Sequence, residues 1–394
     1  METVNDILKN TPLSEIKEYL TWTLIDGNAS AFSQEIDNAN FDFYGKDLRG
    51  LEQQRSDEKR ALGTVNGSVG FAVGKLYVDQ VFSEAAKTRV KNMVMSIIDE
   101  YKSRINALKW MSPTTKKQAI GKLNALTIKV GYPDKWKDYS TLKLKSYDEG
   151  GSLFSNRRSV KAWNFQDDLS KLGKPVDKTE WGMTPQRVNA YYNPLFNEIV
   201  FPAAILQPPF FDFKADDAVV YGAIGAVIGH EISHGFDDQG ARFDKNGNMT
   251  NWWTEEDLKA FKGLGDALVK HYDAYEPIPG VHVNGTFTLG ENIGDLGGVN
   301  VAYSALMKNL KKNGNPGLID GLTQQQRFFM AWSTIWRTKM REKALKQRIA
   351  TDPHSPGMVR AVAPIVLMDE FYDAFDVKVG DKMYVVPEKR VKIW

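Results

Sequence analysis

The 394-residue sequence predicts a mostly helical α+β fold, and three observations support this class. Apolar residues recur at three- and four-residue spacing through much of the first 130 residues, which is typical of helices with one buried face. Strand-like stretches on both sides of an Asn-Pro turn, within residues 187–202, indicate a hairpin and therefore a small sheet. Two later segments, 218–236 and 289–310, indicate buried helices, the first being too apolar on all sides for a surface helix.

The helical pattern of the first part is clearest at residues 14–25, 83–108 and 114–126. Residues 130–184 are interrupted by proline and glycine, and we expect loops and short elements there. We therefore divide the chain into a helical segment, residues 1–130, which packs on a second domain, residues 131–394.

Composition and charge exclude several functions. The 51 Lys and Arg against 49 Asp and Glu leave a net charge of +2, too small a field to indicate nucleic acid or an anionic membrane as a partner. The chain has no cysteine, which excludes disulfides and thiolate chemistry, so a metal site must use His, Asp and Glu. We expect no membrane span, since no apolar run approaches the roughly 18 residues required. No signal peptide is visible, and the compartment stays unknown from these features.

The first buried segment contains the motif His230-Glu231-Ile-Ser-His234. Residues four apart share one face of a helix, so both imidazoles can bind one zinc ion, and Glu231 is placed to take a proton from a metal-bound water. With five histidines in the chain, roughly 0.003 such motifs are expected by chance. The alternative is two surface histidines on an ordinary helix. It is disfavoured because burying these polar groups without a metal would be costly.

A catalytic zinc also needs a third protein ligand. Glu291 and Asp295 are four residues apart at the start of the second buried segment and share a face. One carboxylate can bind zinc while the other accepts the free N–H of a zinc histidine. These features leave the assignment open, because the other acidic residues of the chain compete for the ligand role.

The sequence resembles the neprilysin and endothelin-converting-enzyme family of zinc endopeptidases in six motifs: HEISHGFDDQG, GENIGDLGG, VNAYYNP, FPAAILQPPFF, TDPHSPGMVR and VPEKRVKIW. They occur in the family's order and at its spacing, within a similarity that extends from about Ser14 to Trp394. The resemblance implies a thermolysin-like (gluzincin) zinc site on the two buried helices, beside a small sheet that carries an edge strand. Val391 stands where the family usually has a cysteine, which indicates a bacterial member.

The resemblance also implies roles for the residues of the metal site. It makes His230, His234 and Glu291 the ligands of one zinc ion per chain. It makes Glu231 the general base and Asp295 the partner of His230. Residues 131–394 would then form the catalytic domain.

Four further residues are expected to contact substrate. His354 matches the histidine that stabilises the oxyanion of the tetrahedral intermediate, and Arg360 matches the arginine that holds a substrate carbonyl. Asn189 and Ala190 match an Asn-Ala pair on an edge strand, which binds a peptide backbone by strand addition.

The resemblance implies an apolar pocket for the residue that follows the scissile bond. Its lining residues would be Ile205, Phe210, Val227, Ile335 and Trp336. Because all five are apolar, a hydrophobic substrate side chain is expected there.

The sequence thus predicts a zinc endopeptidase that cleaves oligopeptides on the N-terminal side of hydrophobic residues. One alternative is a catalytically silent zinc-binding structural or interaction module, which the intact Glu231 argues against. Another is a different metal-assisted hydrolase, for which the Asn189-Ala190 pair is ill suited. We expect oligopeptide partners, no nucleic acid and a monomer, and the resemblance suggests an extracytoplasmic or secreted protein.

Members of the family are longer than this chain and have an upstream helical lobe that closes over the active-site lobe. We therefore expect the chain to be a fragment, the catalytic C-terminal lobe without the lobe that limits substrate size.

Overall fold

The structure, a computed structural model, describes residues 2–394 and contains two compact units. The smaller unit comprises the chain up to Val69 together with Asp138–Val176 and Arg341–Ala344. The larger unit comprises Gly70–Lys137, Asp177–Met340 and Leu345–Trp394. The boundary proposed from the sequence, between residues 130 and 131, stays a prediction.

The smaller unit is helical. Its elements are α1 (Glu2–Asn10), α2 (Leu13–Asp26), α3 (Gln34–Phe41), the first part of α4 (Asp57–Val81), and α7 (Leu153–Ser170). The helix expected over residues 14–25 is confirmed by α2. Helix α4 has non-helical backbone angles at Val69 (φ −130°, ψ 40°), so it is kinked where the two units divide.

Helix α7 corrects the expectation that residues 130–184 form only loops and short elements. A capping box at its start, in which Ser152 and Ser155 each accept from the other's backbone N–H, explains why the helix begins there. Only Val160 among its residues is buried. The helix therefore lacks the wide apolar stripe from which sequence periodicity identifies a helix.

The larger unit carries most of the core. Its helices are the second part of α4, α5 (Glu84–Ala107), α6 (Pro113–Asn124), α8 (Asp217–Val220), α9 (Ala226–Ser233), α10 (Glu255–Asp273), α11 (Leu289–Asn313), α12 (Gln324–Ile335), the end of α13 (Glu342–Thr351), α14 (Gly357–Arg360) and α15 (Asp369–Phe375). Helices α5 and α6 confirm the predictions for 83–108 and 114–126. None of the helices within residues 2–394 has the length and apolar character that crossing a bilayer requires.

One three-stranded sheet lies in the larger unit, with strands β1 (Thr127–Gly131), β2 (Tyr191–Asn193) and β3 (Glu198–Pro202) in the order β1-β3-β2. Strand β3 is parallel to β1 and antiparallel to β2, which confirms the hairpin. The turn places Asn197 at a positive φ of 49°, a conformation that asparagine tolerates. Strand β1 was not predicted. Strand β2 is an edge of the sheet and begins at Tyr191, so Asn189 and Ala190 precede the edge strand instead of belonging to it.

The helix predicted over residues 218–236 is present as one continuous run of α8, a π-helical turn (Tyr221–Gly225) and α9. It packs along α11, which confirms the second buried helix. The two backbones touch: a Cβ on Gly298 of α11 would lie 2.4 Å from the carbonyl oxygen of Ala226 and 2.6 Å from the nitrogen of His230. A Cβ on Gly229 would lie 2.7 Å from the Cα of Gly298.

Gly298→Ala is therefore expected to destabilise the protein by about 2 kcal/mol, because backbone atoms cannot move aside as a flexible side chain does. Chemical denaturation followed by circular dichroism measures the loss. Gly263→Ala is the matched control. A Cβ on Gly263, within α10, would meet no atom within 4 Å, so alanine should leave stability unchanged or raise it by up to about 1 kcal/mol. Equal stability of the two variants would contradict the close crossing.

Candidate metal centre

Three side chains from the two crossing helices converge on one point. His230 and His234 project from α9 and its C-terminal end, and Glu291 lies in the first turn of α11. His230 Nε2 is 3.0 Å from His234 Nε2 and 3.1 Å from Glu291 Oε2, and His234 Nε2 is 3.7 Å from the same oxygen. Each residue offers one ligand atom, and these atoms lie within 4.8 Å of one another, so the three are positioned to bind a metal ion.

The donor set fits zinc. Two ligands at the usual zinc distance of about 2.0–2.1 Å lie about 3.3 Å apart around a tetrahedral ion. The separations of 3.0, 3.1 and 3.7 Å between the three ligand atoms scatter around that value. Two imidazoles and a carboxylate are also the ligands of many catalytic zinc sites with one open position.

The outer nitrogen of each histidine contacts a carboxylate. His230 Nδ1 is 2.9 Å from Asp295 Oδ1, the partner that the sequence suggested, and His234 Nδ1 is 2.6 Å from Asp237 Oδ2. Sequence analysis missed Asp237, although it lies only three residues after His234, in the turn that follows α9. Because Nδ1 of each ring donates to a carboxylate, Nε2 is left free to bind a metal ion at the position where the three side chains converge.

The carboxylates around the two histidines favour a positive charge at this site. Burial alone would lower the pKa of His230, but hydrogen bonds to Asp295 and Glu291 raise it to about 10. Burial would likewise raise the pKa of Glu291, yet the contacts with His230 and His354 hold it well below its usual range. A metal cation can supply the charge that a proton otherwise supplies, so metal binding should release protons.

Asp295 also binds the guanidinium of Arg360. Arg360 Nε and one terminal nitrogen donate to the two oxygens of Asp295 at 2.8 and 2.7 Å, a bidentate geometry. The guanidinium is stacked on Trp336, 3.7 Å from the ring centroid, and Arg360 is only 5% exposed. Asp295 therefore joins the metal ligand His230 to a residue expected to contact substrate.

His354 is brought to the metal site as expected. Its Nε2 is 3.0 Å from Glu291 Oε2, while its Nδ1 is 2.7 Å from Asp352 Oδ1. Asp352 also accepts from the backbone N–H of His354 at 2.9 Å, which fixes the ring and the backbone together. Sequence analysis missed Asp352, and its only signal is the short Asp-Pro-His spacing.

Glu231 lies within the same cleft, although it is only 6% exposed. Burial raises its pKa, against the opposing effect of the two histidines. The carboxylate therefore has a stronger tendency to accept a proton than an exposed glutamate has.

The cleft around these residues has a volume of about 1040 Å³. Four of the five predicted pocket residues line it: Ile205, Phe210, Val227 and Trp336. Ile335 is 6% exposed and lies in the core, outside this lining, whereas Trp332 of the same helix is part of the lining. Asn189 and Ala190 also line the cleft, in the segment that directly precedes β2.

A mostly helical fold with an HExxH helix crossing a second helix that carries a glutamate defines the thermolysin-like class of metal site. The comparisons with known proteins agree. The chain belongs to peptidase family M13, whose model matches residues 189–391, and the model of the family's N-terminal region matches residues 1–133.

Individual relatives are similar over the whole chain. The chain is 36% identical to the endothelin-converting enzyme homolog of Locusta migratoria and 37% identical to the neutral endopeptidase of Lactococcus lactis, covering 55% and 60% of these proteins. Among solved structures, the chain resembles the Mycobacterium tuberculosis zinc metalloprotease Zmp1 in complex with inhibitor, a crystal structure. The two sequences are 47% identical, the folds superpose with a TM-score of 0.94, and the chain covers 59% of the Zmp1 chain. The chain thus spans somewhat more than half the length of these relatives.

One expectation from the sequence needs correction. The chain was expected to be the catalytic C-terminal lobe alone. Because residues 1–133 match the model of the family's N-terminal region, the chain contains part of that region as well.

Asp295→Ala should weaken zinc affinity by about 10–100-fold, the usual cost of removing a carboxylate behind a metal histidine. The measurement is competition for zinc with a chromophoric chelator. Asp266→Ala removes an exposed acid on α10 and should leave the affinity unchanged. Equal affinities in the two variants would show that Asp295 does not orient His230.

Proposed function

We propose that the chain is a zinc-dependent endopeptidase, with His230, His234 and Glu291 as the zinc ligands. The observation that carries the proposal is their convergence in a cleft that also contains Glu231, so ligands and a base share one site. Membership of peptidase family M13 supports it.

Glu231 is the general base in this proposal. Zinc held by the three ligands supplies Lewis acidity, which makes a water more acidic and a carbonyl more electrophilic. Glu231 then takes the proton of the attacking water and returns it to the leaving amine. Its buried carboxylate suits this role, because burial favours the protonated form through which the proton passes.

His354 and Arg360 stabilise the substrate in this proposal. His354 Nε2 faces the metal site and can donate to the oxyanion that develops on the carbonyl. Arg360 uses two nitrogens for Asp295, so its remaining terminal nitrogen is the one that can reach a substrate carbonyl. Both side chains are held by carboxylates, which reduces the cost of ordering them when substrate binds.

A peptide substrate would bind as an extended strand. Strand β2 is an edge of the sheet, and Asn189 and Ala190, which directly precede it, line the cleft. An extended peptide can pair with such an edge through main-chain hydrogen bonds. This supports a peptide over another substrate of a metal-assisted hydrolase.

The side chain after the scissile bond would occupy the apolar wall formed by Ile205, Phe210, Val227 and Trp336. We therefore expect the preferred peptide substrates to have a hydrophobic residue at that position. Oligopeptides are the proposed partners, and a monomer is the proposed oligomeric state. The family resemblance supports an extracytoplasmic or secreted location.

The second candidate function is a zinc-binding module without activity. Glu231 argues against it, since burying a carboxylate that binds no metal costs free energy that a purely structural site need not expend. Cleavage of a quenched peptide library by the zinc-loaded protein distinguishes the two.

Glu231→Gln should keep zinc bound, because the three ligands are unchanged, but lower turnover by about 10²–10⁴-fold through loss of the base. Zinc content by elemental analysis and kcat on a quenched peptide are the two measurements. Glu256→Gln changes an exposed glutamate in the first turn of α10 and should keep full activity. A Glu231→Gln rate within about tenfold of wild type would refute the assigned base.

Phe210→Ala should lower kcat/KM for peptides with a large hydrophobic residue after the scissile bond by roughly tenfold, because an apolar wall of the pocket is removed. Peptides with alanine there should be affected less. Phe213→Ala is the control, since Phe213 is 49% exposed and lies outside the cleft lining. The same loss on both peptide classes would contradict a role in specificity.

A further inference from the structure

We propose that Lys122 is a positioning residue for the metal ligand His234, acting through the loop that follows the metal helix. The proposal rests on the function proposed above. Lys122 belongs to α6, more than a hundred residues before the HExxH motif, and it is only 2% exposed. Its proposed role follows from the contacts of its amine.

The amine joins two points of one loop. Lys122 Nζ donates to the carbonyl oxygens of Gly240 at 2.8 Å and Phe243 at 2.7 Å. These carbonyls lie at the two ends of the 3₁₀ turn Gly240–Arg242. Both acceptors are main-chain groups, so the amine fixes the path of the backbone there rather than the position of a side chain.

That backbone holds the partner of a metal ligand. The N–H groups of Gly240 and Gln239 donate to Asp237 Oδ1 at 2.7 and 2.9 Å, while Asp237 Oδ2 contacts His234 Nδ1 at 2.6 Å. Hydrogen bonds therefore connect Lys122 to His234 by way of Gly240 and Asp237. The loop also returns tightly against the end of α9, since a Cβ on Gly240 would lie 1.7 Å from the carbonyl oxygen of His234.

The surroundings of the amine make its burial expensive. The rings of Tyr192, Phe236 and Trp252 lie 5.7–5.9 Å from Lys122 Nζ and shield it from water. Transferring an ammonium group to such a site is unfavourable unless its hydrogen bonds are satisfied. An apolar side chain would fill the same space at lower cost, so the amine is retained for what it binds.

The two hydrogen bonds from Lys122 to the loop do not require a positive charge on the amine. Burial lowers the pKa of Lys122 to about 7, although the carboxylates of Asp237 and Asp244 act to raise it. A neutral amine still has two N–H groups, one for each of the two carbonyls. The contact with the loop therefore persists whether or not the amine is protonated, and we propose no pH switch.

The test is the zinc affinity of Lys122→Met, measured by competition with a chromophoric chelator. Methionine keeps the length and apolar bulk of the side chain but cannot donate to the carbonyls. We expect affinity to fall by about tenfold, the lower end of the effect of removing outer partners of a metal ligand, because Lys122 acts one step beyond Asp237.

Lys116→Met is the matched control. Lys116 lies on the same helix, and its amine also donates to two main-chain carbonyls, of Asn106 and Leu108, which lie at the C-terminal end of α5. This variant should bind zinc as tightly as the wild type. If Lys122→Met did so too, the proposal would be wrong.

A double-mutant cycle separates positioning from a general loss of stability. Asp237→Asn breaks the same path nearer to His234, so adding Lys122→Met to it should weaken zinc binding little further. Full additivity of the two losses would overturn the proposed route. If Lys122→Met does not fold, Lys122→Gln, whose shorter amide cannot span both carbonyls, takes its place in the cycle.

These measurements use zinc binding and not turnover. A zinc-loaded chain that cut no peptide would contradict the proposed function but leave the role of Lys122 intact. If the wild-type chain cleaved peptides and the Lys122 variant bound zinc with unchanged affinity, the role of Lys122 would be contradicted and the proposed function would stand.

Discussion

The contact between the backbones of α9 and α11 is the constraint on which the metal site depends. The imidazole ligands come from one helix and its C-terminal end, and the carboxylate comes from the other, so the ligand distances are set by how closely the helices approach. Gly229 and Gly298 face each other with no room for a Cβ on either. The same applies at Gly294, where a Cβ would lie 2.7 Å from the ring of His230. The glycines therefore allow the imidazole to lie directly against α11, which brings its Nε2 within 3.1 Å of Glu291.

A second constraint is the balance of charge around that contact. The carboxylates of Asp237, Asp295 and Glu291 all face imidazole nitrogens, and the buried guanidinium of Arg360 offsets the charge of Asp295. Leaving such carboxylates in a nearly dry site without positive charge would be costly. The arrangement is thus matched to a cation at the point where the Nε2 atoms meet. Packing and electrostatics favour the same position for the metal.

The sequence predicted the parts of this site that depend on short-range spacing. His230 and His234 share a helical face at i and i+4, as do Glu291 and Asp295, so their proximity within each helix follows from helix geometry. Pairing the two helices required the family resemblance, because spacing alone left other acidic residues as candidates for the third ligand. Asp352 was missed because two residues in a loop have no fixed relation until the backbone is known. The contacts of Lys122 were not predicted because they join elements remote in sequence. The role of Ile335 stays a prediction, since Ile335 lies outside the lining of the cleft while Trp332, on the same helix, is part of it.

Two elements, α7 and β1, were missed by secondary-structure patterns for different physical reasons. Helix α7 is defined by the capping box at its start and buries Val160 alone, so it lacks apolar periodicity. Strand β1 is five residues long and depends on pairing with β3, some seventy residues later in the chain. Its Lys129 is nevertheless buried, because its amine contacts Glu198 of β3 at 2.7 Å. A buried ion pair makes a strand look polar in sequence, although it lies inside the fold. Such residues can be understood only together with their partner, as is also the case for Lys122 and its loop.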